Sequence, residues 1–256
     1  MLAQQRHNAI VAKVQEKGTV QVQDLAGLLN VSAMTIRRDL AELEEQGLLI
    51  RVHGGATISE STHEPIFAEK TTLNAESKAK IAKAAAQLVR SGQSIAIGGG
   101  STSARLAQEI AARTELENLT IVTNSLPVSD FFHGLADTKN KPKVLLIGGE
   151  RTPSDAFVGP LADATLANLN IDVLFLGAHG VTLKGMYTPN MNETSTNRTF
   201  IANAHDTVAV FDSSKWNVAG LSRFASWADI DTVVTDELTQ ERHNFLSDNV
   251  AKVITA

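Results

Sequence analysis

Two adjacent arginines, Arg37 and Arg38, follow a serine that is placed to start a helix. Ser32 stands at the N-cap position, where a hydroxyl accepts a hydrogen bond from a backbone N–H of the first helical turn. Apolar residues then recur at helical spacing and predict a buried face. The opposite face, near the helix N-terminus, carries Met34, Thr35, Arg37 and Arg38. Hydroxyl and guanidinium groups in this position can hydrogen-bond the base edges and phosphates of double-stranded DNA.

The elements around this helix predict a winged helix-turn-helix. Residues 2–17 form a first amphipathic pattern, and a second, shorter helix is predicted to end at the break formed by residues 30–32. An apolar strand follows at residues 48–52 and closes in a Gly pair. Arg51 and His53 lie on this wing and are further candidate DNA contacts. A helical hairpin with a solvated charged face is the alternative, but a double arginine beside a wing strand favours DNA binding.

The distribution of charge bears on how such a domain would bind DNA. The chain carries a formal net charge of −5. Residues 1–57 contain as many basic as acidic side chains, so the excess of acid lies in the rest of the chain. Because phosphate contacts supply much of the affinity for DNA, one copy with so few cations is expected to bind weakly. We therefore expect a homo-oligomer that binds repeated half-sites of an operator.

The composition limits the class of protein further. The absence of cysteine excludes disulfides and thiolate metal sites. No apolar run is long enough to span a bilayer, and no leader is visible at Met1. We expect a cytoplasmic protein without a membrane partner, a metal or a cofactor.

Short apolar runs alternate with helical stretches throughout residues 75–256. This alternation predicts an α/β domain with a doubly wound, mostly parallel sheet. Residues 1–57 are then a DNA-binding domain, the polar residues 58–74 a linker, and residues 75–256 an effector-binding and oligomerisation domain. The strands are predicted at residues 94–97, 119–122, 144–147, 173–176, 208–211, 232–234 and 251–254.

Polar residues follow several of these strands, and ligands of open α/β sheets bind beyond the carboxyl ends of the strands. The loop Gly98–Ser103 combines glycines, hydroxyls and the N-terminus of a helix, which suits a phosphate or another anion. The segment 212–215 adds a carboxylate, two hydroxyls and an ammonium group. The candidate effector-binding residues are Gly99, Gly100, Ser101, Thr102, Ser103, Thr123, Asn124, His179, Glu193 and Lys215.

The strand ends also allow other interpretations. A tight turn with a capping hydroxyl is the structural alternative for the glycine loop, and a solvated loop is the alternative for residues 212–215. The glycine loop does not fit a dinucleotide fingerprint, because Ser103 replaces the third glycine and no acidic residue follows the second strand. Residues 180–186 do not fit a P-loop, because Met186 stands where lysine is required.

The N-terminal segment resembles the DNA-binding domain of the DeoR family of bacterial transcriptional regulators. The matching residues are Val31-Ser32, Thr35-Ile36-Arg37-Arg38-Asp39-Leu40, Leu43, Gly47 and Arg51-Val52-His53-Gly54-Gly55-Ala56. Residues 75–235 resemble the sugar-phosphate-sensing domain of the same family, whose fold is related to ribose-5-phosphate isomerase and glucosamine-6-phosphate deaminase. The matching pieces are residues 100–102, 122–124, 148–149, 157–159, 177–181, Glu193 and 212–215.

The resemblance implies a repressor of a carbohydrate uptake or catabolism operon that a phosphorylated sugar or polyol releases from DNA. Two positions depart from the family pattern. Family members commonly carry Asp where this chain has Gly98, and Lys where it has Asn197, with Arg198 next to it. Because a carboxylate and an ammonium group are lost, an unusual effector is expected.

The alternative is an isomerase- or deaminase-like enzyme with an appended DNA-binding domain. Such an enzyme needs a general base with a tuned pKa over the sugar. The acidic or imidazole candidates at the strand ends are Asp155, His179, Glu193 and Asp212. A helix-turn-helix has no use in a metabolic isomerase, so the sequence favours a binding protein and no catalytic residue is assigned.

Overall fold

The computed structural model describes residues 3–45, 48–52, 54–57, 67–136 and 140–256. The predicted DNA contact His53 lies outside the described residues. Among those described, no helix is long and apolar enough to cross a membrane.

The N-terminal part is a winged helix-turn-helix, as the sequence predicts. Its elements are α1 (Ala3–Lys17), β1 (Thr19–Gln21), α2 (Val22–Leu29), α3 (Ala33–Glu45), β2 (Ile50–Val52) and β3 (Gly55–Thr57). The strands form an antiparallel sheet in the order β1-β3-β2. Asn30 ends α2 in the left-handed conformation, with φ of 52°. The apolar faces of the three helices share one core that includes Ile10, Leu25, Ile36 and Leu40.

The remaining elements alternate along the chain. In order they are α4 (Phe67–Thr72), α5 (Ala75–Ala86), β4 (Ser94–Ile97), α6 (Ser101–Ala112), β5 (Thr120–Thr123), α7 (Leu126–His133), β6 (Lys143–Leu146), β7 (Glu150–Arg151), β8 (Phe157–Val158), α8 (Pro160–Leu166), β9 (Ile171–Leu176), β10 (Gly180–Thr182), β11 (Gly185–Thr188), α9 (Met191–Ala202), β12 (Ala204–Val210), β13 (Ser222–Ala225), β14 (Thr232–Thr235), α10 (Gln240–Asn249) and β15 (Lys252–Thr255). The short helix α4 lies inside the segment that the sequence predicts to be a linker.

Seven parallel strands form the central sheet, in the order β15-β14-β12-β9-β4-β5-β6. They coincide with the seven predicted strands to within a few residues. Strand order runs outward in opposite directions from the neighbours β4 and β9, which therefore mark a switch point where ligands of such sheets bind. The two faces of the sheet are covered by separate apolar cores, so the sheet is doubly wound.

Three features of this part were not predicted. Helix α7 follows β5, a ribbon of β7 and β8 lies beyond it, and β10, β11 and β13 form a small antiparallel sheet. Trp216 and Trp227 stack with ring centroids 6.0 Å apart beside Phe211 and Phe245. These rings join the small sheet to the main core.

Candidate functional site

The N-terminus of α3 is built as the sequence predicts. Ser32 Oγ accepts a hydrogen bond from the backbone N–H of Thr35 at 3.1 Å, and the two hydroxyl oxygens lie 2.8 Å apart. Ile36 is buried on the inner side of the helix, whereas the side chain of Met34 is 70% exposed. Ser32 therefore caps α3, and its hydroxyl also fixes the neighbouring Thr35 at the start of the exposed face.

The two arginines lie on the outer face of α3. Arg37 is exposed, and the side chain of Arg38 is 83% exposed. Arg38 Nε donates to Glu42 Oε1 at 3.1 Å, one helical turn further on. On the wing, the exposed Arg51 donates its backbone N–H to Glu44 Oε1 at 2.9 Å. Arg51 Nη1 also lies 3.8 Å from Glu44 Oε2. Exposed ion pairs of this kind contribute little to stability, and the arginine side chains remain open to solvent.

A buried ion pair that the sequence analysis did not identify joins α3 to α1. Arg6 donates from Nε and Nη2 to the two carboxylate oxygens of Asp39, at 2.6 and 2.8 Å. His7 Nε2 lies 3.1 Å from Asp39 Oδ1. Burial alone would raise the pKa of Asp39, but the hydrogen bonds and charges of Arg6 and His7 outweigh it and hold that pKa below its ordinary value. Asp39 thus fixes α3 to α1.

The same cluster offers the ligand types of a metal site. Ligand atoms of His7, Asp39 and Glu42 lie within 4.8 Å of one another. However, both carboxylate oxygens of Asp39 already accept hydrogen bonds from Arg6. The arginine supplies the positive charge that a metal ion would bring, so the cluster is explained as a structural ion pair.

Replacing Asp39 by asparagine is expected to loosen α1 from α3. Amide hydrogen exchange in these two helices of the full-length protein should quicken at pH 7, while Asp24→Asn, at an exposed position on α2, leaves it unchanged. Because the pKa of Asp39 is lowered, the stabilisation is complete at neutral pH. It is lost on acidification, from the ordinary carboxyl value of about 3.9 down through the lowered pKa. Parent-like exchange in Asp39→Asn would show that the ion pair does not anchor α3.

A cavity of about 800 Å³ opens at the carboxyl ends of β4, β9 and β12 and extends to α1. It lies at the switch point of the sheet. Nine of the ten predicted effector-binding residues line it, namely Gly99, Gly100, Ser101, Thr102, Ser103, Asn124, His179, Glu193 and Lys215. The structure therefore brings together strand ends that are far apart in the sequence.

The glycine loop shapes one wall of this cavity. Gly100, the residue before α6, has φ of 119°, which an L side chain rarely adopts. A Cβ at Gly99 would lie 2.9 Å from Cβ of Ala156, so only glycine fits there without a shift. After the loop, Ser101, Thr102 and Ser103 form the buried first turn of α6. A helix N-terminus presents backbone N–H groups and a positive dipole end, which together favour an anion.

Thr123 is the exception among the predicted residues, because it does not line the cavity. Its hydroxyl donates to the carbonyl oxygen of Ile97 at 2.6 Å and accepts from the backbone N–H of Ser125 at 3.0 Å. The side chain is fully buried and joins β5 to β4. Thr123 therefore holds the strand ends together, and its neighbour Asn124 provides the polar group at the cavity.

Glu193 is held by partners that the sequence analysis missed. Its Oε1 accepts from Ser154 Oγ at 3.0 Å, and its Oε2 accepts from Thr188 Oγ1 at 2.5 Å. Asn190 caps the helix α9 that carries it, because its side chain accepts from the backbone N–H groups of Asn192 and Glu193. The carboxylate is thus fixed in the cavity wall by two hydroxyls.

The segment after β12 provides a second fixed carboxylate. Asp212 Oδ1 accepts hydrogen bonds from Asn74 Nδ2 at 3.0 Å and from the side chain of Ser214. Asp212 Oδ2 is buried and has no hydrogen-bond partner among the described residues. Asn124 Oδ1 is in the same condition, and both residues line the cavity. Buried polar atoms normally have partners, so each of these two acceptors calls for a donor from a bound molecule or water.

One buried cation also lines the cavity and has no sequence signal of its own. Lys78, on α5, donates from Nζ to the carbonyl oxygen of Leu73 at 2.6 Å.

Asn197, one of the two departures from the family pattern, lines the cavity as well. Gly98, the other departure, packs against Leu176: a Cβ there would lie 2.6 Å from Leu176 Cδ2.

Both parts of the chain match known protein domains. Residues 6–62 match the DeoR-like helix-turn-helix domain, and residues 73–237 match the DeoR C terminal sensor domain. The chain belongs to the DeoR family. It is therefore a DNA-binding transcriptional regulator, and the prediction of a regulator rather than an enzyme is confirmed by this membership.

Individual relatives cover nearly the whole chain. A protein of Escherichia coli O157:H7, provisionally named the aga operon transcriptional repressor, is 34% identical over 91% of this chain and 86% of its own length. The lactose phosphotransferase system repressor of Staphylococcus aureus is 35% identical over 93% of this chain and 94% of its own. Ribose 5-phosphate isomerase A of Methanocaldococcus jannaschii is 21% identical with a TM-score of 0.40, over 56% of this chain and 55% of the isomerase.

Proposed function

We propose that this DeoR-family regulator represses a carbohydrate uptake or catabolism operon and that a phosphorylated sugar or polyol releases it from the operator. The role of repressor is supported by the two relatives, at 34% and 35% identity, that are named as repressors of the aga operon and of the lactose phosphotransferase system. The effector class is supported by the chemistry of the cavity. As a protein that acts on chromosomal DNA, it works in the cytoplasm.

We propose that double-stranded operator DNA is read by the exposed start of α3 and by the wing. The observation that supports this is the exposure of Arg37, Arg38 and Arg51 beside the cap that Ser32 forms. Arg38 is placed to reach a base edge in the major groove, where arginine pairs with guanine. The full proposed contact set is Ser32, Met34, Thr35, Arg37, Arg38, Arg51 and His53.

The single observation that carries the effector proposal is the composition of the cavity. One wall of the cavity is the N-terminus of α6, at Ser101–Ser103, which favours an anionic group. Asn124 and Asp212 add buried acceptors that need hydrogen-bond donors. A sugar phosphate or polyol phosphate supplies both: its phosphate meets the N-terminus of α6 and Lys215, and its hydroxyls donate to the two acceptors.

The departure at Asn197 narrows the class of effector that the cavity is expected to bind. A neutral amide replaces the lysine that is common in the family, so the cavity has one cation fewer to orient an open-chain carbonyl sugar. We propose that the effector is bound through hydroxyl groups and phosphate, which a polyol phosphate provides without a carbonyl.

Copies of the chain act together in this proposal. We assign residues 1–57 to DNA binding, residues 58–74 to a linker and residues 75–256 to effector binding and oligomerisation. Residues 1–57 contain equal numbers of basic and acidic side chains, so one copy is expected to bind DNA weakly. Two linked copies bind a pair of half-sites more tightly than one copy binds a single half-site.

Two experiments test the proposal. The first selects an operator from random duplex DNA, and the second identifies the compounds that bind the protein. A thermal-shift panel of phosphorylated sugars and polyols is expected to raise the melting temperature of the full-length protein for one chemical family, because ligands that bind the native state stabilise it. The unphosphorylated parent compounds serve as controls. Equal shifts with and without phosphate, or no selected DNA sequence, would contradict the proposed function.

A further inference from the structure

Strand β6 lies at one edge of the central sheet. It pairs with β5 on one side and has no partner on its outer side among the described residues. The side chains of Leu145 and Leu146 are 41% and 37% exposed. Edge strands of native sheets are usually covered or carry charges in their centre, whereas the central residues Val144–Leu146 of β6 are all apolar.

The hydrogen bonds of β6 show which backbone groups face outward. Lys143 donates its backbone N–H to the carbonyl oxygen of Leu119 at 3.0 Å, and Ile147 donates its N–H to that of Thr123 at 2.7 Å. Both hydrogen bonds are directed towards β5. Because backbone groups alternate along a strand, those of Val144 and Leu146 point away from the sheet. Two N–H groups and two C=O groups therefore stand in a row at the open edge.

We propose that a second copy of this chain occupies this edge, with the two β6 strands antiparallel across a two-fold axis at Leu145. In that register Val144 of each copy pairs with Leu146 of the other, which makes four backbone hydrogen bonds between the copies. The two Leu145 side chains lie opposite each other on one face of the joined sheet. This inference rests on the proposed homo-oligomer and names the surface that forms it.

The sequence around β6 permits this register and disfavours its neighbours. Pro142 has no N–H, so a register shifted towards the start of the strand loses a hydrogen bond. A shift in the other direction would place the two-fold axis at Leu146 and pair Val144 with Gly148, which lies beyond the end of β6. Centring on Leu145 uses every outward-facing N–H and C=O group of the strand.

The charges at the two ends of β6 are complementary under the same two-fold axis. The exposed Lys143 stands at the start of the strand, and the exposed Glu150 follows its end. Antiparallel pairing places the basic start of one strand beside the acidic end of the other, while no charged residue lies at the centre. The edge therefore fits a copy of itself.

Introducing a charge at Leu145 tests the proposal on the full-length protein. Light scattering with size exclusion is expected to show that Leu145→Lys and Leu145→Glu each halve the mass of the parent assembly, because like charges then face each other across the axis. An equimolar mixture of the two variants is expected to recover the parent mass. The matched control is Leu161→Lys, at a 74% exposed leucine on α8, which should keep the parent mass.

A crosslink provides a second readout that does not depend on dissociation. The chain contains no cysteine, and directly opposed residues of an antiparallel pair have Cβ atoms about 4.5–5.5 Å apart. Leu145→Cys is therefore expected to form a disulfide between copies under mild oxidation, whereas Leu161→Cys is not. A monomeric parent, a parent-like mass in both Leu145 charge variants, or no crosslink through position 145 would each overturn the edge pairing. An oligomeric parent with unaffected variants would reject this surface and leave the proposed homo-oligomer standing.

Discussion

Replacing Arg38 by alanine is expected to weaken operator binding by about 5- to 150-fold, since a base-reading arginine contributes about 1–3 kcal/mol of discrimination. Arg38 lies on the outer face of α3, and its exposed pair with Glu42 contributes little to folding. The melting temperature should therefore stay at the parent value. The measurement is fluorescence anisotropy of labelled operator, with Arg90→Ala, at an exposed arginine outside the winged helix, as the control.

The neighbouring arginine separates two kinds of contact. If Arg37 binds phosphate, Arg37→Ala weakens selected and random duplexes alike and lowers the salt dependence of binding, because fewer counterions are released. Arg38→Ala should instead reduce the preference for the selected operator over random DNA. Parent-like affinity of Arg38→Ala for the operator would remove this residue from the reading face.

Replacing Lys215 or Thr102 by alanine is expected to raise the effector concentration needed to release DNA by about tenfold or more. Charge-assisted hydrogen bonds contribute about 1.5–3 kcal/mol, and each change removes one donor from the wall of the cavity. Operator affinity without effector should remain at the parent value, because both residues belong to the sensor part. Release is measured by titrating effector into the complex of protein and labelled operator.

Two matched variants control for general effects in this experiment. Lys252→Ala removes an exposed lysine of β15 that does not line the cavity. Thr102→Ser retains the hydroxyl that Thr102→Ala removes. Both should release DNA at the parent's effector concentration. If Lys215→Ala and Thr102→Ala also do so, the effector binds elsewhere; if they lose operator binding altogether, these residues are structural.

The fold was predictable where local pattern decides it. The central strands of the sheet contain apolar runs such as 173–176, because the middle of the sheet is buried on both faces. Helix α3 was predictable from the cap at Ser32 and the spacing of Ile36 and Leu40. Helix α7 was missed; Pro127 stands in its first turn, and proline there signals a turn as readily as a helix start. The strands β10, β11 and β13 are three or four residues long and carry no distinct alternation.

The candidate site was predictable only in part, because strand ends converge by topology whereas other residues reach it through tertiary packing. Lys78 lies on a helix before the first strand of the sheet, and Ser154 lies in a loop; neither follows a predicted strand. Thr123 was predicted because it follows the strand expected at residues 119–122. It is instead the last residue of β5 and its side chain turns into the sheet, which leaves Asn124 at the cavity. The contact of Arg6 with Asp39 spans two helices and has no local pattern.

Release of this protein from DNA by a phosphorylated polyhydroxy compound is the most direct consequence of the proposed function. The deciding measurement is the anisotropy of a labelled, selected operator bound by the full-length protein while phosphorylated sugars and polyols are titrated, each beside its unphosphorylated form. We expect one phosphorylated compound to release the DNA, its unphosphorylated form to be far weaker, and Lys215→Ala to shift the midpoint by about tenfold or more. Release by the unphosphorylated form at the same concentration, or a midpoint that Lys215→Ala leaves unchanged, would contradict the account.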